Sequence, residues 1–312
     1  MERYRHLNTY LKDKFGERTL KIPVDGGFTC PNRDGKVGYG GCIFCTQRGS
    51  GEHLKLKPIP EQVKEHLESY RGKRANKFIV YFQNFTNTYD SIENLKEKYD
   101  SALIDDRIVG LDIATRPDCI NEDTCKLLQS YTCDSITNEN CIDKSMKGYS
   151  VTVELGLQTS NDEIAKIINR GYSLETFTKA VKLLNKYKID VVVHIMLGLP
   201  NETDEDIVNT VKYINSLNIQ GIKIHSTYVA KNTVLEKWYK EGKYTPLTLD
   251  EYLDKLLYVI THLRKDIIIH RISGDSPKDL IVAPSWNIHK KWVLNGFDKI
   301  MREQDRFQGD SY

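Results

Sequence analysis

The residues best suited to chemistry are three cysteines near the N-terminus. Cys30, Cys42 and Cys45 are separated by eleven residues and then by two, in a chain of 312 residues. Thiolates of this kind hold iron–sulfur clusters and zinc, and both groups normally take four protein ligands at structural sites. A site with three protein ligands keeps one metal position open, where chemistry can take place. The glycines between Cys30 and Cys42 allow that segment to loop back toward its own start.

The cysteine spacing alone leaves the identity of the metal open. It favours an iron–sulfur cluster, and the main alternative is a zinc site in which His53 is the fourth ligand. A disulfide is disfavoured, because the chain has seven cysteines, an odd number, and its polar N-terminus carries no secretory signal. We therefore expect a cytoplasmic protein whose thiols stay reduced.

The other four cysteines lie around a polar insert at 130–149 and lack a close Cys-x-x-Cys pair. A second cluster is therefore disfavoured, and we expect buried or incidental thiols at Cys119, Cys125, Cys133 and Cys141.

The overall charge is close to balanced. Lysine and arginine number 45, aspartate and glutamate 43, and the formal charge is +2. This lacks the strongly basic character of a dedicated nucleic-acid binder, although local patches matter more than totals. No apolar run approaches the roughly 18–20 residues needed to span a bilayer, so no membrane partner is expected.

Short β-rich runs alternate with helical patterns along most of the chain. This alternation predicts a parallel sheet built of right-handed βαβ units. Two helices carry start signals. Residues 160–163 have the pattern of a capping box, and residues 203–206 open a helix whose first turn is acidic, as the helix dipole favours. The predicted strands are 20–24, 78–82, 108–114, 151–157, 190–197 and 221–229, and the helices between them are 60–70, 91–103, 121–130, 174–187 and 203–217.

Six such units are too few for an eight-stranded barrel and fit an incomplete one. In parallel barrels the functional groups lie at the carboxyl ends of the strands. After about residue 235 the pattern changes to helices at 238–243 and 249–264, a strand at 267–272 and a turn at 273–277. The basic, aromatic segment 286–302 is expected to be an amphipathic helix that caps the barrel. Its alternative role is a nucleic-acid contact in which the aromatic rings stack on bases.

Six motifs resemble those of the radical S-adenosylmethionine (SAM) superfamily. They are DGGFTCPNR at 25–33, CIFC at 42–45, YFQNFTNTY at 81–89, ELGLQT at 154–159, NRGY at 169–172 and GLPNET at 198–203. Together they resemble most closely the bacterial radical SAM proteins related to the Elongator catalytic subunit. The first cysteine gap is wider than the three residues common in the superfamily, and a widened gap also marks this subgroup.

The resemblance implies an α/β fold, an incomplete (βα)6 radical SAM barrel with a C-terminal α+β extension. It divides the chain into an N-terminal segment at 1–19, the barrel at 20–235 and the extension at 236–312. It also implies that Cys30, Cys42 and Cys45 hold one [4Fe–4S] cluster whose fourth iron binds SAM.

The same resemblance assigns cofactor-binding roles. Phe44 would pack beside the adenine, Gln83 and Asn84 would lie near the methionine amino group, and Gly198 would let the backbone approach the adenine. Glu154 would meet a cofactor hydroxyl or ammonium, since an acid inside an apolar strand requires a partner, and a structural salt bridge is its alternative. Three further candidates are Gln158, Arg170 for the SAM carboxylate and His194 for the SAM ribose. The alternatives are a helix-terminal cation for Arg170 and a satisfied core group for His194.

Substrate contacts are expected after the later strands. His225, Tyr228 and Lys231 follow the sixth strand, and His270 and Arg271 belong to the strand after it. Each of these residues is about as suited to a structural role as to lining the barrel mouth.

The resemblance implies a radical SAM enzyme that modifies the C5 substituent of a tRNA wobble uridine. Fewer than ninety residues follow the predicted barrel, too few for an acetyltransferase domain, so the narrower expectation is conversion of 5-carboxymethylaminomethyluridine to 5-aminomethyluridine. Expected partners are tRNA and a low-potential electron donor such as flavodoxin or ferredoxin. Two alternatives are radical chemistry on a small metabolite and a non-catalytic, zinc-containing nucleic-acid-binding protein.

Overall fold

A computed structural model describes residues 2–49, 51, 54–132, 148–274 and 278–312. Within these ranges nine strands are found: β1 Thr19–Val24, β2 Lys77–Phe82, β3 Ile108–Thr115, β4 Ser150–Gln158, β5 Asp190–Leu197, β6 Gly221–Ser226, β7 Val229–Ala230, β8 Ile268–Arg271 and β9 Ile281–Ala283. The helices are α1 Leu7–Phe15, α2 Ile59–Glu68, α3 Ile92–Asp100, α4 Glu122–Thr132, α5 Asp162–Ile167, α6 Leu174–Lys186, α7 Asp204–Ser216, α8 Val234–Lys240, α9 Leu249–His262 and α10 Lys290–Glu303.

Seven parallel strands form the main sheet in the order β1-β2-β3-β4-β5-β6-β8. This is the open, partial barrel that the α/β prediction required, and its first six strands lie where the sequence placed them. The seventh strand, β8, comes from the segment that the sequence assigned to the extension, and it pairs with β6. The sheet therefore runs across the expected boundary at residue 235.

The sixth predicted strand is shorter than expected. β6 ends at Ser226, and Val229–Ala230 forms a separate strand, β7, which pairs antiparallel with β9. The run 221–229 therefore contributes to two sheets rather than one.

A layer of helices packs on the outer face of the sheet, and the main hydrophobic core lies between them. Strand β5 shows how the sequence divides its two faces. Val191, Val193, Ile195 and Leu197 are almost fully buried in that core, whereas His194 and Met196 are only partly buried and line a cavity on the inner side. Polar or adaptable side chains at alternate positions thus mark the inward face of the strand.

The start signals of two helices have different outcomes. The helix start predicted at 203–206 is confirmed, and the side chains of Thr203 and Asp206 accept from each other's backbone N–H groups there, which makes a capping box at the start of α7. The box at 160–163 is displaced by one residue. Asn161 is the N-cap of α5, and its Oδ1 atom accepts from the backbone of Glu163 and Ile164.

The C-terminal segment forms the expected amphipathic helix. Val293, Phe297 and Met301 of α10 are fully buried, and α10 packs against α9. Trp286 is buried and donates its indole N–H to the carbonyl of Leu247, so its ring has a structural role. Trp292 is 54% exposed and stacks on His289. None of the helices in the described ranges is long and apolar enough to cross a membrane.

Candidate functional site

A cavity of about 260 Å³ opens at the carboxyl ends of the strands of the main sheet. Cys30, Cys42 and Cys45 all line it, as do residues from the ends of β2 through β6 and from β8. The topology brings these groups together, because the strands are parallel and their ends share one edge of the sheet.

The loop that carries the cysteines is held by hydrogen bonds to its own backbone and to the NRGY motif. The amide of Arg33 bonds to the carbonyl of Cys30 at 2.8 Å, and the amide of Gly41 bonds to the carbonyl of Asn32 at 2.8 Å. The side chain of Asn169 donates to the carbonyl of Gly41 at 2.8 Å, and Asn32 donates to the carbonyl of Asn169 at 2.6 Å. The glycine-rich segment therefore does return to its start, and residue 169 fixes its position.

The three thiols differ in their electrostatic surroundings. A hydrogen bond shared with Cys45, together with burial, raises the pKa of Cys42 well above its ordinary value. The same hydrogen bond, aided by Arg33, lowers the pKa of Cys45 to about 7. Arg33 also donates to the carbonyl of Cys45 at 3.4 Å and thereby stiffens the loop.

The donor set of the cavity fits an iron–sulfur cluster and SAM. In the described part of the chain, no group of three or more His, Cys, Asp or Glu side chains converges closely enough to hold one metal ion. A cluster requires a wider arrangement than a single metal ion does. Each thiolate binds a different iron atom of the cluster, so the three thiols need only line the same cavity. The hydroxyl of Thr86, which lines the same cavity, has no hydrogen-bond partner among the described residues. His53, Cys133 and Cys141 lie outside the described residues.

Eight of the thirteen non-cysteine candidates for cofactor or substrate contacts line this cavity. They are Phe44, Gln83, Glu154, Gln158, His194, His225, Tyr228 and Arg271. The other five, Asn84, Arg170, Gly198, Lys231 and His270, are absent from its lining.

Arg170 lies behind the cavity and is fully buried. All five of its N–H donors are used, by the carbonyls of Leu157, Thr159 and Tyr172 and by a carboxylate oxygen of Asp162 at 2.9 Å. The guanidinium thus ties the end of β4 to α5 and to the NRGY turn. Neither the cofactor role nor the alternative of a simple helix-terminal cation describes this contact set.

Asn84, Gly198 and Lys231 are placed by contacts of their own. Asn84 is buried and donates to Asp25 at 2.8 Å. Gly198 has a φ of 82°, and its amide bonds to the carboxylate of the half-buried Glu202 at 2.7 Å. Lys231 is exposed and donates to the carbonyl of Asp279 at 2.7 Å.

The floor of the cavity is a network of buried charges centred on Glu154. Its carboxylate accepts from Lys21 at 3.0 Å, from His194 at 2.8 Å and from Lys223 at 2.5 Å. Lys21 also pairs with Asp112. These contacts join β1, β3, β4, β5 and β6 through their inward side chains, and they are the salt-bridge alternative stated for Glu154.

The network determines which groups are charged. Burial alone would raise the pKa of Glu154, but Lys223 and Lys21 lower it well below its ordinary value. Burial lowers the pKa of Lys223 to about 8 despite the opposing effect of Glu154. For Asp112, burial outweighs the neighbouring Lys21 and raises the pKa to about 6. One oxygen of Asp112 has no partner among the described residues, which is consistent with that direction.

Three charged residues of this network were not predicted from the sequence, although their positions could have indicated them: Lys21, Asp112 and Lys223. Each is a lone charged residue inside an apolar strand, the same feature that singled out Glu154. Arg116, which lines the cavity and is paired with Asp118 at 2.8 Å, was not predicted either.

Several known proteins are similar to this chain in sequence or in fold. The Radical SAM superfamily matches residues 30–214, and the Radical_SAM C-terminal domain matches residues 219–303. The uncharacterized protein YtqA of Bacillus subtilis (strain 168) is 37% identical over 311 residues, which are 99% of this chain and 92% of that protein.

Two further matches are to longer proteins. The tRNA uridine(34) acetyltransferase of Dehalococcoides mccartyi (strain CBDB1) is 34% identical over 143 residues, 45% of this chain and 28% of that protein. The solved structure of the archaeal Methanocaldococcus infernus Elp3 has a TM-score of 0.68 and 21% identity, and the match covers 93% of this chain and 64% of that one. At this identity the structural likeness concerns the fold alone.

Replacing Arg170 by lysine should destabilise the apoprotein. A lysine has three donors in place of five, so buried carbonyl groups lose their partners, at a cost of about 2–4 kcal/mol. Urea unfolding of the apoprotein measures this loss of stability. Arg107→Lys is the matched control, since Arg107 is exposed and precedes β3. An unchanged free energy of unfolding, combined with weaker SAM binding, would instead place Arg170 in the cofactor site.

Replacing Asp112 by asparagine should remove a decline in stability between about pH 4 and pH 6. In the folded protein the pKa of Asp112 is about 6, above the ordinary 3.8, so the contribution of Asp112 is fully present below about pH 4 and is lost as the pH rises through 6. The lost contribution is on the order of 2–3 kcal/mol. Unfolding measured between pH 4 and 7 tests this, and parallel profiles for wild type and Asp112→Asn would contradict the pKa direction.

Proposed function

Because this chain belongs to the radical SAM superfamily, we propose that it is the radical SAM enzyme that modifies the C5 substituent of a tRNA wobble uridine. Proteins of this superfamily bind a [4Fe–4S] cluster and SAM and take electrons from reductants such as flavodoxin. The observation that carries the proposal is the cavity itself, in which three thiols face a polar wall at the carboxyl ends of parallel strands.

When bound, the cluster and SAM supply a 5′-deoxyadenosyl radical that removes a hydrogen atom from a substrate. Cys30, Cys42 and Cys45 would hold the cluster, and Phe44 and Gln83 line the cavity beside them. The remaining lining residues would orient the cofactor and the substrate and restrict the access of water. Restricted access matters because a reactive intermediate must be kept from side reactions.

The tRNA substrate is supported by the relatives that carry a matching segment. The D. mccartyi relative is named as an acetyltransferase acting on tRNA uridine 34, the wobble position, and it shares 34% identity over 143 residues with this chain. We propose the same nucleoside as the substrate here, with conversion of 5-carboxymethylaminomethyluridine to 5-aminomethyluridine as the reaction. SAM would be the two-electron oxidant, leaving as methionine and 5′-deoxyadenosine, and water would cleave the oxidised C–N bond so that the carboxymethyl group leaves as glyoxylate.

Cofactor roles for Glu154, Gln158 and His194 belong to this proposal, as do those for Asn84 and Gly198, which do not line the cavity. Arg170 is assigned a structural role instead, because all five of its donors bond within the protein.

Replacing Cys42 by alanine should abolish cluster binding and SAM cleavage together. The variant loses one of three thiolates, so anaerobic reconstitution should leave little iron, little visible absorbance and no 5′-deoxyadenosine. Cys119→Ala is the matched control, since Cys119 does not line the cavity, and it should keep both signals. Product formation by Cys42→Ala would contradict the ligand assignment.

Deleting the gene should change the wobble uridines of the host. Mass spectrometry of digested tRNA should show 5-carboxymethylaminomethyluridine accumulating at the expense of nucleosides derived from 5-aminomethyluridine. Wild-type protein should restore the profile, and Cys42→Ala should not. An unchanged uridine profile would remove the tRNA hypothesis and leave a small metabolite as the substrate.

A further inference from the structure

The part of the cavity lined by β6 and β8 differs in chemical character from the part lined by the three cysteines. β1, which leads into the cysteine loop, is one edge of the main sheet, whereas β6 and β8 form the other edge. Lys223 and His225 of β6 and Arg271 of β8 line the cavity from this second edge. Lys223 and Arg271 are neighbours in register on the two strands, and both line the cavity.

The acids near this part of the cavity are already engaged. Among the described residues that line the cavity, Glu154 is the one carboxylate, and it is shared by Lys21, His194 and Lys223. Asp112 lies behind Glu154 and pairs with Lys21. Arg271 has interactions of its own, but its five N–H donors can serve several acceptors at once.

His225 supplies a second, independent observation. Its Nε2 atom is buried and has no hydrogen-bond partner among the described residues, while its ring lines the cavity. Burial lowers the pKa of His225 well below its ordinary value, with His194 and Arg271 acting in the same direction. A neutral imidazole can still donate one N–H, and a buried donor without a partner is costly unless a ligand accepts from it.

We propose that Arg271, Lys223 and His225 form an anion-binding wall that holds the carboxylate of the substrate's C5 substituent. This inference rests on the proposed function, in which that substituent carries one carboxylate and the product carries none. Arg271 would act through a charged hydrogen bond, His225 through Nε2, and Lys223 through its charge. The wall and the three cysteines line the same cavity, so a substituent held by the wall shares that cavity with the site of radical formation.

The wall gives the enzyme a means of telling substrate from product. The two nucleosides differ in the carboxymethyl group that carries the negative charge. A site built to bind that charge discriminates against an analogue that lacks it, because its own buried polar groups are then left without partners. Release of the product would follow from loss of the same contact.

The experiment compares two anticodon stem-loops on anaerobically reconstituted protein with SAM bound. One carries 5-carboxymethylaminomethyluridine, and the other carries its carboxamide, which is neutral and has nearly the same shape. Wild type should bind the acid about 10- to 100-fold more tightly than the amide, the size of one charged hydrogen bond. Arg271→Gln should lose most of this preference by weakening the acid, and Arg271→Lys should recover part of it.

Arg107→Gln is the control, because Arg107 precedes β3 at the opposite end of the sheet and pairs with Asp105. It should keep the wild-type preference. SAM affinity is measured for Arg271→Gln in parallel, and a loss of SAM affinity equal to the loss of acid binding would assign the wall to the cofactor instead. Equal binding of acid and amide by wild type would overturn the inference even if every variant failed to fold.

The outcomes also separate the inference from the function on which it rests. If wild type prefers the acid but never converts it, the proposed reaction is wrong and the anion-binding wall stands. If wild type converts the acid and Arg271→Gln does so with an unchanged KM, the reaction stands and the wall is wrong.

Discussion

A charged carboxylate inside a half-barrel is the constraint on which the rest of this structure depends. Glu154 is fully buried, and an isolated carboxylate in such a place would be strongly unfavourable. Its partners come from β1, β5 and β6, so pairing this one group requires the sheet to curve until distant strands face each other. The curvature of the sheet and the pairing of Glu154 thus depend on each other. The cavity lies over this charged network, with Glu154, His194 and Lys223 in its lining.

The same arrangement separates two kinds of chemistry at the open edge of the sheet. Three thiols stand in a loop fixed by Asn32 and Asn169, next to β1. Cationic and neutral nitrogen groups stand on β6 and β8. Between them lie Glu154 and His194, whose protonation is set by the network and by burial. A cofactor that needs thiolates and a substrate that carries an anion can therefore bind to different parts of one cavity.

Much of the fold could be predicted from the sequence, because hydrophobic runs with period-two and helical spacing are local signals. The six strands and the helix start at Thr203 are of this kind. The seventh strand, β8, was predicted as a strand, but its place in the sheet depends on pairing with β6, which no local pattern specifies. Helix α1 was not predicted, since only one of its residues, Leu11, is buried and its apolar pattern is weak.

The site was predictable to the extent that motifs mark strand ends. Three cysteines and eight further candidates line one cavity, as the spacing of the motifs along parallel strands leads one to expect. Arg170 illustrates the limit. Its sequence neighbourhood is the same whether it faces a ligand or the backbone of β4, and only the three-dimensional packing shows that its donors are all used. Lys21 and Lys223 illustrate a second limit, because a lysine in an apolar strand can extend its charge to solvent or pair inside, and the pairing with Glu154 depends on how the strands are brought together.

The most direct test of the central claim follows hydrogen from substrate to cofactor. Reconstituted wild-type protein would be given SAM, a reductant and an anticodon stem-loop whose C5 substituent at the wobble uridine is fully deuterated. The account predicts deuterium in the 5′-deoxyadenosine, formed together with 5-aminomethyluridine. Deuterium-free 5′-deoxyadenosine alongside an unchanged wobble nucleoside would show that this cavity does not act on that substrate.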